Sequence, residues 1–289
     1  MSELKLIEFE NKTICVFGGT GTIGSLIVEY LLTKNPETIR VFSNDENSLW
    51  ECQQKWKEYQ YHLRYLIGDI RNLERVKRAL KGVDCVFNCA AIKHVPFAEY
   101  NPREAVDVNI IGLDNIIEGC RVHKIKKLLH ISTDKAVEPT TTMGMTKGIS
   151  ERIVQTRWTQ NPEIQMVIVR LGNVYGSRGS VIPLVREQKA KGQPITITNP
   201  DMNRFFMQPE EVTDFIMKAF EKGKDGEIWV PRLKESKLID VIRKEVGDCP
   251  MTIIGNRKGE KLNEKLLNDY EKSMALIIQD AWVIKNSGW

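Results

Sequence analysis

Seven residues, Gly18-Gly19-Thr20-Gly21-Thr22-Ile23-Gly24, limit what this chain can fold into more than any other stretch. They follow a short apolar run at 13–17 and lead into an apolar-periodic segment reaching about residue 32. That order is strand, tight turn, helix. Gly18 permits the turn, Gly21 lets a bulky anion reach the backbone, and Gly24 lets helix and strand pack closely. The helix start then offers free amide donors and the positive end of its dipole, which suits a pyrophosphate. The spacing predicts a dinucleotide-binding turn.

The pattern that follows repeats the unit. Buried strands are expected at 38–42, 63–67, 84–91, 127–131 and 166–171, separated by helical segments at 47–61, from about 72, and at 101–123. Strands alternating with helices at this interval form a parallel sheet with right-handed crossovers and helices on both faces. Beyond about residue 172 the alternation gives way to short segments punctuated by Gly and Pro. The expected division is therefore a dinucleotide-binding domain over 1–172 and a smaller, irregular substrate-binding portion over 173–289, interleaved with the core.

In such a sheet ligands gather at the carboxyl ends of the strands. The residues there are informative. After the second strand come Ser43, Asn44 and Asp45. An acidic group would hold the free ribose hydroxyl of NAD, whereas a small polar residue or an arginine admits the phosphate of NADP. The set is mixed, with NADP slightly favoured. After the third come Asp69 and Ile70; Asp69 either meets an adenine amino group or caps the next helix. After the fourth, Ala90 and Ala91 let a cofactor lie against the backbone, with Lys93 and His94 in the loop beyond. After the fifth, Thr133, Asp134 and Lys135 place a hydroxyl, a carboxylate and an amine together. Met143 and Lys147 follow, with Lys147 opening a helix, one turn apart and on one face. Met145, Ile149 and Ile153 fall on the opposite face, free to pack.

Composition narrows the alternatives. Apolar residues make up 42% of the 289 and charged residues 28%, with a net charge of +4. No basic run is interleaved with aromatics, so nucleic acid is not an expected partner. Glu3, Lys5, Glu8, Glu10 and Lys12 break every apolar run near the N-terminus. No window approaches the ~18 apolar residues of a membrane span. A cytoplasmic protein is the expectation. The six cysteines show no paired spacing and the four histidines no metal-ligand spacing, so free thiols and no metal are expected.

Several separated motifs together resemble a known family. They are GGTGTIG from Gly18, AAIKHVPFAEYNP from Ala90, STDKAVEPTTTMGMTK from Ser132, GSRGSVIP from Gly176, RFFM from Arg204 and GNRKGEKLNE from Gly255. They run over nearly the whole chain. The sequence resembles the extended short-chain dehydrogenase/reductases, and within them the UDP-N-acetylglucosamine 4,6-dehydratases of surface-glycan pathways. One position departs from many members: Met143 stands where a proton-shuttling tyrosine is common, and a thioether carries no proton. The chain is in this respect similar to a branch of the dehydratases with methionine there, which relies on the Thr-Asp-Lys triplet.

The resemblance implies a Rossmann-like fold, an NAD(P) cofactor, a UDP-linked amino sugar as substrate and association into a homo-oligomer. A GDP-linked substrate, a nucleotide-sugar epimerase and a non-catalytic dinucleotide-binding protein stay open. The implied reaction oxidises sugar carbon 4, removes the carbon 5 proton with loss of the carbon 6 hydroxyl, and returns the hydride to carbon 6. Lys135 suits the base, Asp134 the acid and Thr133 the carbon 4 oxygen, with Asp134 and Lys135 interchangeable and inversion at carbon 5 undecided. Lys147 would hold the nicotinamide ribose. The implied cofactor set is Gly18, Thr20, Gly21, Thr22, Ile23, Gly24, Ser43, Asn44, Asp69, Ile70, Ala90, Ala91, Lys93, Asn109 and Lys147. The implied substrate set is Lys93, His94, Met143, Asn173, Arg178, Arg204, Arg257 and Glu260, with the arginines on phosphate and Glu260 on a ribose hydroxyl.

Overall fold

The computed structural model describes residues 9–286; residues 1–8 and 287–289, including Glu3, Lys5 and Glu8, lie outside the described residues. The chain runs β1 (Thr13–Phe17), α1 (Thr22–Leu32), β2 (Thr38–Ser43), α2 (Glu46–Lys55), β3 (Leu63–Ile67), α3 (Leu73–Leu80) and β4 (Cys85–Asn88). Next come α4 (Val95–Tyr100), α5 (Pro102–Val106), α6 (Gly112–Val122), β5 (Lys127–Thr133), α7 (Thr142–Gln160), β6 (Gln165–Leu171) and β7 (Asn173–Val174). The remainder is α8 (Val181–Ala190), β8 (Ile195–Ile197), β9 (Asn203–Met207), α9 (Pro209–Lys222), β10 (Glu227–Pro231), β11 (Glu235–Lys237), α10 (Leu238–Val246), β12 (Met251–Ile253), α11 (Asp269–Met274), β13 (Leu276–Ile278) and β14 (Ala281–Ile284).

Nine strands form one sheet in the order β13-β14-β10-β6-β5-β4-β1-β2-β3. From β10 to β3 every pairing is parallel, and β14 and β13 close one edge antiparallel. This is the doubly wound, Rossmann-like sheet the alternation predicts. Its central strands are buried on both faces, which is why they read as continuous rather than alternating apolar runs. One face is covered by Ile27, Val28 and Leu31 of α1 with Phe215, Ile216 and Phe220 of α9. The other carries Val76 and Leu80 of α3, Leu113, Ile116 and Ile117 of α6, and Val154 of α7.

Past residue 172 the chain alternates between two tasks. It builds small sheets, β11-β9-β7 and β12-β8, around Val185, Ile195, Met202, Leu238 and Ile242. It also returns to the main sheet through α9 and β10. Arg170 on β6 is fully buried and held by Glu151 Oε2 at 2.7 Å and Glu271 Oε2 at 2.9 Å, which ties α11 to the core.

Four local expectations change. The helical stretch at 101–123 contains a π-helical turn, Asp107–Ile111. The aromatic-punctuated stretch at 47–61 is not all exposed, because Trp56 packs into the core. The stripe expected to pack on α7 does not: Met145 and Ile149 are each 49% exposed, and only Ile153 packs inward. In its place the face bearing Met143 and Lys147 is buried, because α7 lies with that face over the strand ends. Lys147 sits in the second turn of α7 rather than at its start.

Candidate active site

The carboxyl ends of β1 through β6 open onto one cavity of ≈1090 Å³. At one end lies the glycine cradle. Gly18 has φ +69°, and a side chain there would meet Ala90 N at 2.7 Å. A Cβ on Gly24 would meet Gly18 O at 2.2 Å, whereas one on Gly21 would touch only Gly18 O at 3.1 Å and otherwise face open space. So Gly18 and Gly24 are required by packing, whereas Gly21 leaves space open on the cavity wall. Thr20, Thr22, Ile23, Ser43, Asn44, Asp69, Ile70, Ala90 and Ala91 line the same wall. Asp69 does not cap α3; Asn72 does, by accepting from Arg75 N at 2.9 Å. Asp69 instead pairs with Arg71 at 2.6 Å on the cavity rim.

Asn109 is a correction. It is buried, does not line the cavity, and spends its amide on the loop after β4: Oδ1 accepts from Ile92 N at 2.8 Å, and Nδ2 donates to Ile92 O at 3.1 Å and Thr146 Oγ1 at 2.9 Å. The π-helical turn brings Asn109 to this position. It fixes the floor rather than a cofactor.

At the centre is the turn after β5. Lys135 Nζ donates to Asp134 Oδ1 at 3.0 Å and Asn173 Oδ1 at 3.3 Å. Thr133 Oγ1 donates to the same Asp134 oxygen at 2.8 Å. Thr133 and Lys135 line the cavity, but Asp134 is fully buried behind them, with Oδ2 lacking a hydrogen-bond partner. Asp134 therefore touches the site only through its two neighbours. Glu264 is the cavity-lining carboxylate beside Lys135. It is buried, its Oε1 lies 3.8 Å from Lys135 Nζ, and its Oε2 lies 3.6 Å from Lys261 Nζ with no hydrogen-bond donor. The sequence offered little to single it out. Glu260 and Glu264 in GEKLNE have the spacing of a solvated charged face, and only the folded segment brings Glu264 to the turn.

That segment is strapped down. Lys261 Nζ donates to Val137 O at 2.6 Å, Thr140 Oγ1 to Gly259 O at 2.7 Å, and Lys265 pairs with Glu138 at 2.9 Å. Arg204 holds it from the other side. Its guanidinium donates to the carbonyls of Leu262 at 2.8 Å and Lys261 at 3.0 Å, with Glu260 at 3.7 Å. Arg204 was expected on a phosphate; two of its hydrogen bonds go to the strap and two to Asn203 O and Met202 Sδ.

Lys147 lies under the cradle's far side, buried, with Nζ donating to Ile131 O at 2.5 Å. Burial pulls its pKa down to about 8, partly offset by Glu151 and Cys89. Beside it at 3.3 Å is His130, missed in the sequence because it lies inside an apolar strand. Asn88 Oδ1 accepts from Ala90 N, so its Nδ2 donates to His130 Nδ1 at 3.1 Å, and the remaining ring nitrogen faces Ser150 Oγ at 3.1 Å. Burial, then the Lys147 charge, keeps His130 neutral. Met143 lines the cavity one turn before Lys147, packed against Ala98 and Ala105.

Lys93, His94, Arg178 and Arg257 also line the cavity, with Arg178 at the cradle, its guanidinium donating to the Thr20 carbonyl and its amide to Thr22 Oγ1 at 3.2 Å. Lys93 Nζ donates to Arg178 O at 2.6 Å, and burial followed by Arg178 lowers its pKa. Burial and the charges of Lys93 and Arg257 lower that of His94. Glu260 Oε2 accepts from the Arg257 backbone amide at 3.1 Å, and both residues line the cavity.

A doubly wound sheet, a glycine cradle at its first strand and a Thr-Asp-Lys turn at its fifth, facing one cavity, define an extended short-chain dehydrogenase/reductase. The chain belongs to the polysaccharide biosynthesis protein family, whose model matches residues 14–286. It is 42% identical to an uncharacterized membrane protein of Methanocaldococcus jannaschii, over 96% of this chain and 86% of that one. It is 35% identical to a UDP-glucose 4-epimerase of Rickettsia rickettsii, over 97% and 84%. The solved structure of Pen from Bacillus thuringiensis superimposes with a TM-score of 0.93 at 37% identity, covering 96% of this chain and 90% of that one. Among the described residues no helix is long and apolar enough to cross a membrane.

Proposed function

We propose that the protein is a nucleotide-sugar 4,6-dehydratase acting on UDP-N-acetylglucosamine or a close relative, with a nicotinamide dinucleotide in the glycine cradle. The observation that carries this is Lys135 on the cavity wall, within reach of Asp134, Asn173 and Glu264. Moving hydride at carbon 4 alone needs proton handling at one oxygen. Removing a carbon 5 proton and a carbon 6 hydroxyl needs further acid and base groups, and this cluster supplies them.

The cradle fits the cofactor's pyrophosphate, since Gly21 leaves open the space a side chain would fill. A bound nicotinamide supplies a hydride acceptor for carbon 4 and a donor for carbon 6. Lys147 holds the adjoining ribose from below. Thr133, already donating to Asp134, presents an oxygen lone pair to the carbon 4 hydroxyl, so a proton leaving there passes by way of Thr133 to Asp134. Asp134, placed by the sequence as an acid facing the substrate, acts from behind. Lys135 as the amine takes the proton from carbon 5. The C5–H electrons form the new double bond to carbon 6, and the carbon 6–oxygen bond breaks as the hydroxyl leaves with a proton from Lys135 or Glu264. Arg257 and Glu260 meet the phosphate and ribose of the nucleotide. Met143 fills the place of a phenol without supplying a proton.

The second reading is a 4-epimerase, favoured by the relatives of that name at 35% identity. Incubation with UDP-N-acetylglucosamine separates them by mass: the dehydratase product is lighter by one water, the epimerase product is unchanged. Lys135→Ala is expected to abolish water loss while leaving dinucleotide binding intact; unaltered turnover by that variant would remove Lys135 from the mechanism. We also infer a homo-oligomer that covers the exposed Met145 and Ile149 of α7, and light scattering on the purified protein decides it.

A further inference from the structure

Behind the cavity wall, where β4 and β5 meet α7, lies a set of polar side chains that the proposed reaction leaves unused. Asn88, His130 and Ser150 are each at most 1% exposed. Their hydrogen bonds run in one direction. Asn88 Oδ1 is taken by Ala90 N at 3.1 Å, so Nδ2 donates to His130 Nδ1 at 3.1 Å. At the other end Ser150 Oγ donates to Lys147 O at 2.7 Å, so towards the ring, at 3.1 Å, it accepts. Both ends give the same tautomer, with Nδ1 bare and the proton on Nε2. Burial, then the charge of Lys147, keeps the ring neutral.

That N–H also faces Lys147 Nζ at 3.3 Å. Nζ donates to Ile131 O at 2.5 Å, but among the described residues it has no carboxylate within ion-pair distance. Glu151, one turn further along α7, spends its oxygens on Ser132 at 2.5 Å and on Arg170, and acts on Lys147 through charge alone. Cys89, just past β4, is held as a thiol by burial. Carboxylates on the other elements around α7 are committed elsewhere: Asp134 to Lys135, Glu99 to Thr142 N, Glu104 to Arg71, Asp107 to Arg103 and Asp114 to Arg157. An ammonium at this place meets an N–H, dipole against charge. A neutral amine donates to Ile131 and accepts from His130, and each partner is used.

We propose that His130 is a positioning residue whose Nε2–H stabilises the amine form of Lys147 against the ammonium, making that side chain a group that gives up and regains a proton within the cleft. The proton passes between Nζ and a hydroxyl or water meeting it from the cavity, which Lys147 lines; the imidazole stays neutral throughout. Met143, one turn earlier on the same face, carries no proton, and the His130–Lys147 pair supplies exchange there without it. This rests on the reading of the cleft as a nicotinamide cofactor site.

The test is a pH titration of the lysine Cε resonances of isotope-labelled full-length protein, the Lys147 signal being the one missing from Lys147→Met. His130→Met removes the opposing N–H and is expected to move the Lys147 midpoint up by about 0.7 pH units, the shift that one net hydrogen bond produces. His130→Gln, whose Oε1 and Nε2 stand in for the two ring nitrogens, should leave the midpoint close to its wild-type value. Ser150→Ala leaves Nε2–H no partner but Lys147 and should move the midpoint down; this small truncation decides the matter even where His130→Met fails to fold. A midpoint that stays still in both His130→Met and Ser150→Ala, or moves the opposite way in either, overturns the proposal, since a merely structural His130 would lower the melting temperature alone. Calorimetry with NADP and NAD checks the underlying reading separately: a protein that binds neither has no cofactor cleft for the pair to serve, even where the midpoints move as expected.

Discussion

Replacing Lys147 with methionine is expected to make the free protein more stable while weakening its hold on the cofactor. Lys147 is 5% exposed, and burial lowers its pKa from 10.5 to about 8. At about 1.36 kcal/mol for each tenfold change in proton affinity, the charged form costs about 3 kcal/mol at pH 7. Methionine keeps the apolar stem and removes the charge. It also strips the Ile131 carbonyl of its donor, which costs about 1–2 kcal/mol. The net gain is about 1–2 kcal/mol, or about 2–6 °C in melting temperature for a chain of this size. The pH dependence follows from linkage. Because the folded pKa is the lower one, the unfolded chain binds the extra proton between about pH 8 and 10.5, and wild-type stability rises with pH across that window. The advantage of Lys147→Met is therefore largest below pH 8 and fades towards pH 10. Lys127, also lowered to about 8 by burial, titrates in both proteins and drops out of the difference. Paired thermal melts at pH 7 and pH 9.5 measure it. A variant less stable than wild type at pH 7, or an advantage that grows with pH, would refute the reasoning.

Two further outcomes follow from the buried charges. Arg170→Met leaves Glu151 and Glu271 unpaired in the core and is expected to cost roughly 3–5 kcal/mol in chemical denaturation, most of it recovered when both glutamates are also changed to glutamine; a single variant as stable as wild type would show that the network carries no such strain. Glu264→Gln keeps the shape of the strap but removes the cavity-facing carboxylate beside Lys135; turnover is expected to fall by about a hundredfold or more, the low end for a proton-transfer group, with dinucleotide binding retained, and undiminished turnover would return the acid role to Lys135 alone.

Much of the fold is legible because its signals are local. Apolar runs between turn residues place the strands, and the glycine turn fixes the first unit, since only a parallel sheet with crossover helices repeats that way. What the chain does after residue 172 is not local. β10 joins β6 and β14 joins β10, pairings set by the space left at the sheet edge rather than by any pattern within 227–231 or 281–284. The Met145–Ile149 stripe misleads for a related reason. Periodicity shows that α7 has two faces and does not say which one meets the sheet; buried Lys147 and Met143 reverse the ordinary expectation, and that reversal is itself the mark of a site.

The reaction centre divides along the same line. Thr133, Asp134 and Lys135 are found in the sequence because they are adjacent and end a strand. Adjacency cannot tell which of them faces the cavity. On a turn, neighbouring side chains point different ways, and here the middle one points inward: Asp134 is fully buried, while Thr133 and Lys135 line the cavity. A carboxylate so placed cannot deliver a proton to substrate directly. It accepts hydrogen bonds from Lys135 and from Thr133. The cavity-lining carboxylate beside Lys135 comes from 129 residues further along the chain, brought in by a strap held through Lys261, Gly259 and Arg204. The acid–base chemistry proposed for this site thus depends on the seating of the C-terminal segment, and a loosened strap would remove Glu264 from Lys135 without altering any residue of the triplet.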